Sequence, residues 1–110
     1  QYDFATRVEG KDVERVVNEA VNQMLKEDLQ WKPDKFETLL RLLAEAIHDK
    51  IKTLKKPYKF VVTIDIGPNV GAGMDFSLVA FWEADYDGHV KVNWTNGNIF
   101  IWVVVFWIKN

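Results

Sequence analysis

The chain has 110 residues, enough for one domain and too few for two, so we expect a single domain over residues 1–110. Hydrophobic residues make up 48% of it, which permits a real core, and 27% of the residues are charged with a formal net charge of −2. This balance gives no electrostatic reason to expect nucleic acid or an anionic membrane as a partner. The absence of cysteine excludes disulfides, thiolate metal sites and cysteine nucleophiles.

Two amphipathic helices are predicted in the first half of the chain. Apolar residues recur in steps of three and four over Val13–Leu25, and a second stripe with the same spacing covers Phe36–Leu54. Asp34 is expected to cap the second helix, with Glu37 three residues later completing a capping pair. The Lys55-Lys56-Pro57 sequence is expected to end this helix, because proline disfavours helical geometry at the residue before it.

The second half changes to the alternating pattern that is typical of β-strands. Four strands are predicted, at Tyr58–Ile66, Met74–Trp82, Val90–Trp94 and Asn98–Ile108. Gly67–Gly73 is interpreted as a loop, Asp85–Gly88 as a turn, and Asn96-Gly97 as a tight hairpin of the type that requires positive φ. The resulting order is ααββββ, an α+β domain with two N-terminal helices packed on a four-stranded antiparallel sheet.

The fourth predicted strand is apolar on both faces. One face would carry Ile99, Ile101, Val103, Val105 and Trp107, and the other Phe100, Trp102, Val104, Phe106 and Ile108. Two helices can cover one face of such a sheet and not the other. The simplest cover for the second face is another copy of the chain, so we expect self-association. A continuous apolar run is also common in an ordinary central strand, and this alternative stays open.

An ordered set of short motifs resembles the Tctex-type dynein light chains. The motifs are Lys56–Thr63, with the sequence KPYKFVVT, then Gly71-Ala72-Gly73, Phe81-Trp82, Asp87-Gly88 and Trp94. Their spacing is similar to that of the family from Lys56 to the C-terminus, about half of the chain. The helical segment Val16–Val21 is also similar to its counterpart in the family.

The resemblance implies a non-catalytic adaptor with no cofactor. It implies a strand-swapped dimer, formed with a second copy or with a related light chain. It also implies that an extended segment of a dynein intermediate chain, and with it cargo, binds along a strand edge by β-strand addition. The expected location is the cytoplasm and the microtubule cytoskeleton, including a cilium or a flagellar axoneme.

We assign the peptide-binding edge to the second predicted strand, Met74–Trp82. The glycines of the preceding loop, Gly67–Gly73, would allow this strand to leave its own sheet. The predicted binding residues are Phe76, Ser77, Leu78, Val79, Ala80, Phe81 and Trp82.

The residues that could support catalysis have simpler interpretations. His48 on the polar side of the second helix and His89 after a turn are isolated, which makes a poor metal site. Ser77 has no histidine in its own strand to activate it. The acidic residues within Glu83–Asp87 lack the full ligand series of a calcium loop, and Gly71-Ala72-Gly73 lacks the Gly-Lys-Ser/Thr of a phosphate loop.

The alternative class of protein is a small-molecule-binding or enzymatic α+β domain. Its sheet would hold an apolar ligand against Trp94 and Trp102 in an enclosed pocket with convergent polar groups, for which the sequence offers few candidates. Stacking of nucleic-acid bases is disfavoured because no basic patch accompanies the tryptophans. Packing in a core or a dimer interface is the favoured explanation for the five tryptophans.

Overall fold

A computed structural model of the protein describes residues 7–68 and 86–109, which form an α+β arrangement. Its elements are α1 (Gly10–Met24), α2 (Pro33–Lys52), β1 (Tyr58–Pro68), β2 (Gly88–Thr95) and β3 (Ile99–Lys109). The three strands form one antiparallel sheet in the order β1-β3-β2. These strands correspond to the first, third and fourth predicted strands. The predicted strand Met74–Trp82 lies outside the described residues, so the described sheet has three strands rather than four.

The helix α1 forms where the apolar stripe predicts it, although it begins three residues earlier, at Gly10. It buries a continuous stripe of small aliphatic side chains, namely Val13, Val16, Val17, Ala20 and Val21. Such short side chains let the helix lie close to its neighbours. The helix ends where Leu25 becomes extended and donates its N–H to the carbonyl of Val21 at 2.9 Å.

The start of α2 differs from the prediction that Asp34 caps it. Lys32 is the N-cap residue and makes no side-chain capping bond, while Pro33 takes the first helical turn. Proline fits there because its missing N–H would have no partner inside the helix. Asp34 therefore falls within the first turn, where its carboxylate faces the positive end of the helix dipole.

The end of α2 is tightened before the chain turns into β1. The helix ends at Lys52, before the Lys55-Lys56-Pro57 sequence that was expected to end it. The N–H groups of Thr53, Leu54 and Lys55 then each donate to the carbonyl three residues earlier, at 3.1, 3.0 and 3.1 Å. Lys55 reaches a φ of 53°, the one left-handed backbone among the described non-glycine residues. A side chain with a Cβ costs about 1 kcal/mol or more in this conformation.

The central strand β3 pairs along its whole length with both neighbours. Its register with β1 runs from Tyr58↔Lys109 to Pro68↔Ile99, and its register with β2 runs from Gly88↔Trp107 to Thr95↔Phe100. One side of the sheet packs under the helices. The residues on that side are Tyr58, Phe60, Val62, Ile64 and Ile66 of β1, Val90, Val92 and Trp94 of β2, and Ile99, Ile101, Val103, Val105 and Trp107 of β3. The predicted alternation is confirmed in all three strands.

The β2–β3 connection is built around the side chain of Asn96. Its Oδ1 accepts the N–H of Asn98 at 2.7 Å and of Ile99 at 2.8 Å, and its Nδ2 donates to the carbonyls of Glu27 at 3.0 Å and Leu29 at 2.9 Å. Asn96 has no positive φ and the φ of Gly97 lies outside the left-handed range, so the predicted turn type was wrong. The side-chain amide of Asn96 supplies the hydrogen bonds that stabilise the turn, so the turn does not require left-handed backbone.

We predict that Asn96→Asp destabilises the domain by about 2 kcal/mol. The substitution keeps the acceptor oxygen but replaces the amide donor with a carboxylate oxygen that would face the carbonyls of Glu27 and Leu29. Urea denaturation should show the loss as a lower midpoint. Asn98→Asp at an exposed position of the same turn is the matched control, and an equal effect of both substitutions would contradict the role of the Asn96 amide.

The start of β2 is fitted to the indole of Trp107. A Cβ built on Gly88 would lie 2.5 Å from Cζ2, 2.7 Å from Cε2 and 2.9 Å from Nε1 of Trp107. Asp87 ties the same end of the sheet, since its N–H donates to the carbonyl of Trp107 at 2.8 Å and its Oδ2 accepts the N–H of Lys109 at 2.6 Å. The predicted Asp-Gly turn residues therefore fasten β2 to β3.

We predict that Gly88→Ala destabilises the domain by about 2 kcal/mol, because the added methyl group overlaps the indole of Trp107. The indole cannot move away freely, since Trp107 is only 6% exposed within the core. Thermal unfolding followed by tryptophan fluorescence measures the effect. Gly97→Ala is the control, because nothing lies within 4 Å of the corresponding Cβ. Equal stability of the two variants would show that the close approach of Gly88 to the indole of Trp107 does not affect the stability of the domain.

Candidate functional site

The candidate interaction surface is the side of the sheet that points away from the helices, called here the outer sheet face. It is formed by the alternate residues of each strand that do not belong to the helix-side core. These are Lys59, Val61, Thr63 and Asp65 of β1, His89, Lys91, Asn93 and Thr95 of β2, and Phe100, Trp102, Val104, Phe106 and Ile108 of β3. A wholly apolar central row is thus flanked by two rows that are mostly polar.

The central row is apolar on the side that neither α1 nor α2 covers. Trp102 is 7% exposed and Val104 3% exposed, yet neither belongs to the cluster that packs under the helices. Phe100 lies edge-on to Trp102 with ring centroids 6.0 Å apart, and Nζ of Lys91 lies 5.9 Å from the Trp102 ring centroid. The two-sided apolar character predicted for this strand is therefore present in the folded chain.

An aromatic cluster closes one end of the outer sheet face. The ring of Tyr86 lies 5.6 Å from that of His89 and 5.5 Å from that of Phe106, measured between centroids. His89 is exposed and pairs across the sheet with Phe106. His48 is half-buried near the end of α2 and lines a cavity with Tyr58 and Phe60. Within the described ranges, no three His, Asp or Glu side chains converge as metal ligands.

The structure argues against a single apolar ligand that contacts both Trp94 and Trp102, which the sequence analysis allowed. Trp94 pairs with Ile101 and packs against the helix-side core, whereas Trp102 pairs with Asn93 and lies on the outer sheet face. Side chains of successive residues alternate between the two faces of a strand, so the two indoles are on opposite sides of the sheet. A single apolar ligand cannot be held between Trp94 and Trp102.

The predicted peptide-binding residues Phe76–Trp82 lie outside the described residues. Within the described part, β1 and β2 each pair with β3 along one edge, which places both at the margins of this sheet. The backbone of a marginal strand is the chemical group that an added peptide strand can pair with. None of the described helices combines the length and the apolar composition needed to cross a membrane.

Two cavities on the helix side were not predicted from the sequence. One of about 380 Å³ lies beside the α1–α2 connection, against Leu29, Phe36 and Leu39. The other, of about 300 Å³, lies where α2 meets β1 and is lined by residues between His48 and Phe60. In the sequence, the feature that could have pointed to the second cavity is the large number of lysines in this stretch. Its apolar lining becomes visible only when the helix end and the strand lie side by side.

Comparison with known proteins places nearly the whole chain in one family. The model of the Tctex-1 family matches residues 7–108. The chain is 33% identical to the zebrafish (Danio rerio) dynein light chain Tctex-type protein 2B over 95 residues, which is 83% of this chain and 63% of that protein. Identity to the mouse (Mus musculus) protein of the same name is 35% over 95 residues, 83% of this chain and 66% of that protein.

A third relative is the dynein light chain Tctex-type of Drosophila melanogaster. It is 28% identical over 95 residues, which cover 86% of this chain and 85% of the fly protein. The chain spans somewhat less than two thirds of the length of the zebrafish and mouse relatives and most of the length of the fly protein.

Proposed function

This chain belongs to the Tctex-1 family, the Tctex-type dynein light chains, and we propose that it is a non-catalytic, dimeric adaptor of a dynein motor. In this role it binds an extended segment of a dynein intermediate chain by β-strand addition and can link cargo to the motor. The partner copy is a second molecule of this chain or a related light chain. The observation that supports the proposal most directly is the apolar central row of the outer sheet face, in a chain that belongs to the Tctex-1 family.

The outer sheet face supports dimerisation on energetic grounds. Phe100, Phe106 and Ile108 remain only half-buried on a face that neither helix covers. Burying apolar surface stabilises an association by about 25 cal/mol per Å², so an aromatic row of this kind favours a cover of similar chemistry. A second copy brings an identical row, and a two-fold axis lets each row pack against the other.

The proposed binding site for the intermediate chain is the segment Phe76–Trp82, with Phe76, Ser77, Leu78, Val79, Ala80, Phe81 and Trp82 as its residues. Alternating side chains suit an added strand, since backbone groups give general affinity and side-chain pockets give selectivity. The proposed location follows from the motor: the cytoplasm and its microtubules, with a cilium or an axoneme as the more specialised setting.

We predict that the chain sediments with a mass of about twice 12.8 kDa and that Phe106→Glu returns it to the monomer. A carboxylate at this position would be buried without a partner when two outer sheet faces meet. Leu42→Glu is the matched control, because Leu42 is a large apolar residue on α2 that is already 42% exposed. Circular dichroism must show both variants folded. If the parent chain is a monomer, or if the Phe106→Glu variant is still a dimer, the outer sheet face is not the dimer interface.

We predict that Val79→Pro weakens binding of intermediate-chain peptides at least about tenfold, since proline removes a backbone donor and fixes φ. Val79→Ala, which keeps the donor, should lower the affinity much less. Fluorescence anisotropy with overlapping peptides that tile a dynein intermediate chain measures the binding. Sedimentation and circular dichroism of the same samples separate lost binding from a lost dimer or fold. A folded, dimeric Val79→Pro variant with unchanged affinity would place the peptide elsewhere.

A further inference from the structure

The larger of the two cavities lies beside the α1–α2 connection and has a volume of about 380 Å³. Its described lining comes from the connection and from the first turns of α2. Phe36 is buried in the core, and Leu29 and Leu39 pack against that core, so the cavity opens the helix-side core to the surface. The polar side chains around it are those of Asp28, Gln30, Lys32 and Lys35.

Two exposed apolar side chains lie next to this cavity, one before α2 and one within it. Among the described residues, the large hydrophobic side chains that are exposed are Trp31 and Leu42, at 38% and 42%. The ring centroid of Trp31 lies 4.7 Å from that of Phe36, edge-on. Leu42 follows Leu39 by three residues, which places the two leucines on the same side of α2. We call the surface formed by Leu29, Trp31, Phe36, Leu39 and Leu42 the α2 groove.

Packing within the chain accounts for only part of the α2 groove. Single exposed apolar residues that are scattered over a protein surface are ordinary and need no explanation. Trp31 and Leu42 are not scattered, because each adjoins a residue that lines the same cavity. Tryptophan is also among the residues enriched at the energetic centres of protein interfaces. The α2 groove therefore has the composition of an interaction surface, and its neighbouring backbone and charges indicate what it binds.

The backbone beside the α2 groove is already engaged. The carbonyls of Glu27 and Leu29 accept hydrogen bonds from Nδ2 of Asn96 at 3.0 and 2.9 Å. The carbonyl of Asp28 accepts one from Nε2 of Gln30 at 3.2 Å. Within α2, the backbone groups pair along the helix. An extended peptide needs free backbone groups to pair with, whereas a helix satisfies its own. The backbone thus favours a helix as the occupant of the groove.

The length of the α2 groove also suits a helix. Phe36 and Leu42 are six residues apart on α2, which is about 9 Å at 1.5 Å per residue. An apolar ridge with the spacing i, i+3, i+4 and i+7 covers a similar length, about 10 Å, over two turns of a second helix. Such a ridge can pack between the side chains of α2, in the way that helices pack against one another in protein cores.

The charges beside the α2 groove select an acidic helix. Lys32 and Lys35 both line the cavity, and neither forms an ion pair with another described residue. Asp28 contributes the one carboxylate of the described lining, while Asp34 and Glu37 of the same helix do not line it. Carboxylates along the side of a bound helix that meets α2 would therefore face two cations, and a basic helix would be repelled.

We propose that the α2 groove binds an acidic amphipathic helix of a partner protein. An apolar ridge of that helix fills the cavity and covers Trp31 and Leu42. Carboxylates beside the ridge meet Lys32 and Lys35. No residue of the α2 groove belongs to the outer sheet face or to the segment Phe76–Trp82, so this proposal does not depend on the proposed dimer or on its peptide-binding strand.

The test is an NMR titration of the full chain with the end-blocked peptide Ala-Glu-Leu-Ala-Glu-Leu-Leu-Ala-Glu-Leu-Ala-Ala. Its leucines form one ridge with the glutamates beside it, and a covalent staple between the fourth and eighth positions, outside the ridge, keeps this short peptide helical. Shifts should change at the indole N–H of Trp31 and at the amides of Lys35, Leu39 and Leu42. The changes should decrease as ionic strength rises. Absence of these changes at millimolar peptide would overturn the proposal.

Two altered peptides test the charge and the helix separately. The stapled analogue with glutamine in place of glutamate should bind about threefold more weakly or worse. The unstapled peptide with proline at the eighth position keeps the leucines and the charges but cannot form the helix, so it should cause no shifts at the α2 groove. Equal binding of the glutamine analogue would show that the lysines do not select the occupant. Equal binding of the proline peptide would show that the occupant is not a helix.

Paired substitutions separate a defined site from general attraction to positive charge. Lys32→Gln with Lys35→Gln should lower the affinity for the stapled glutamate peptide about threefold or more. Lys11→Gln with Lys52→Gln removes the same charge from two exposed positions on α1 and at the end of α2, and should change the affinity less than about twofold. Equal losses in the two double variants would show that the peptide does not use the α2 groove.

Truncation of the exposed apolar residues and two further titrations identify the occupant. Trp31→Ala and Leu42→Ala should each lower the affinity about fivefold or more, with circular dichroism showing both variants folded. Unchanged affinity in both would contradict the proposal. Vesicles of phosphatidylcholine with phosphatidylserine, and a concentration series of the chain alone, should not reproduce the shifts. Shifts with the vesicles and none with the peptide would assign the groove to a membrane surface, and shifts with chain concentration would assign it to contact between copies.

Discussion

The structure depends on a central strand that is apolar on both faces and hydrogen-bonded on both edges. Strand β3 pairs with β1 and β2, so its own side chains decide how both sides of the sheet are covered. Its odd-numbered residues make the core under the helices, and its even-numbered residues make the outer sheet face. A slip by one residue would exchange these two sets. The contacts of Asp87 and Gly88 at one end and of Asn96 at the other hold the register against such a slip.

Much of this arrangement could be predicted from the sequence, because burial itself produces the periodic patterns. The valine stripe of α1 and the alternation of β1 and β3 follow directly from which face meets the core. The errors arose where single side chains compete with backbone patterns. Pro33 displaced Asp34 from the N-cap of α2, and Asn96 built a turn from its own amide instead of from left-handed backbone. Such outcomes depend on local hydrogen bonds that a hydrophobic pattern does not encode.

The alternative class of protein inferred from the sequence set Trp94 and Trp102 against one ligand, although the strand pattern already separates their faces. A two-residue turn at Asn96-Gly97 would pair Trp94 with Ile99, whereas the observed partner is Ile101. The shift is two residues, so the face of Trp94 is the same in both registers, opposite to Trp102. Parity along the chain could therefore have placed the indoles on different faces before the structure was known. The cavity between α2 and β1 differs, because its lysines are visible in the sequence while its apolar lining requires α2 and β1 to meet. The peptide-binding assignment to Phe76–Trp82 remains a prediction outside the described residues.

The two sides of the sheet differ in how they are covered. The helix side packs under α1 and α2, while Phe100, Phe106 and Ile108 on the outer sheet face stay half-buried. Strand β1 takes part in both sides, since Lys59 lies on the outer sheet face and Phe60 packs toward the helix-side core. The proposed association through the outer sheet face would therefore leave the packing under the helices in place. It should also depend little on salt, because the row that it would cover is apolar.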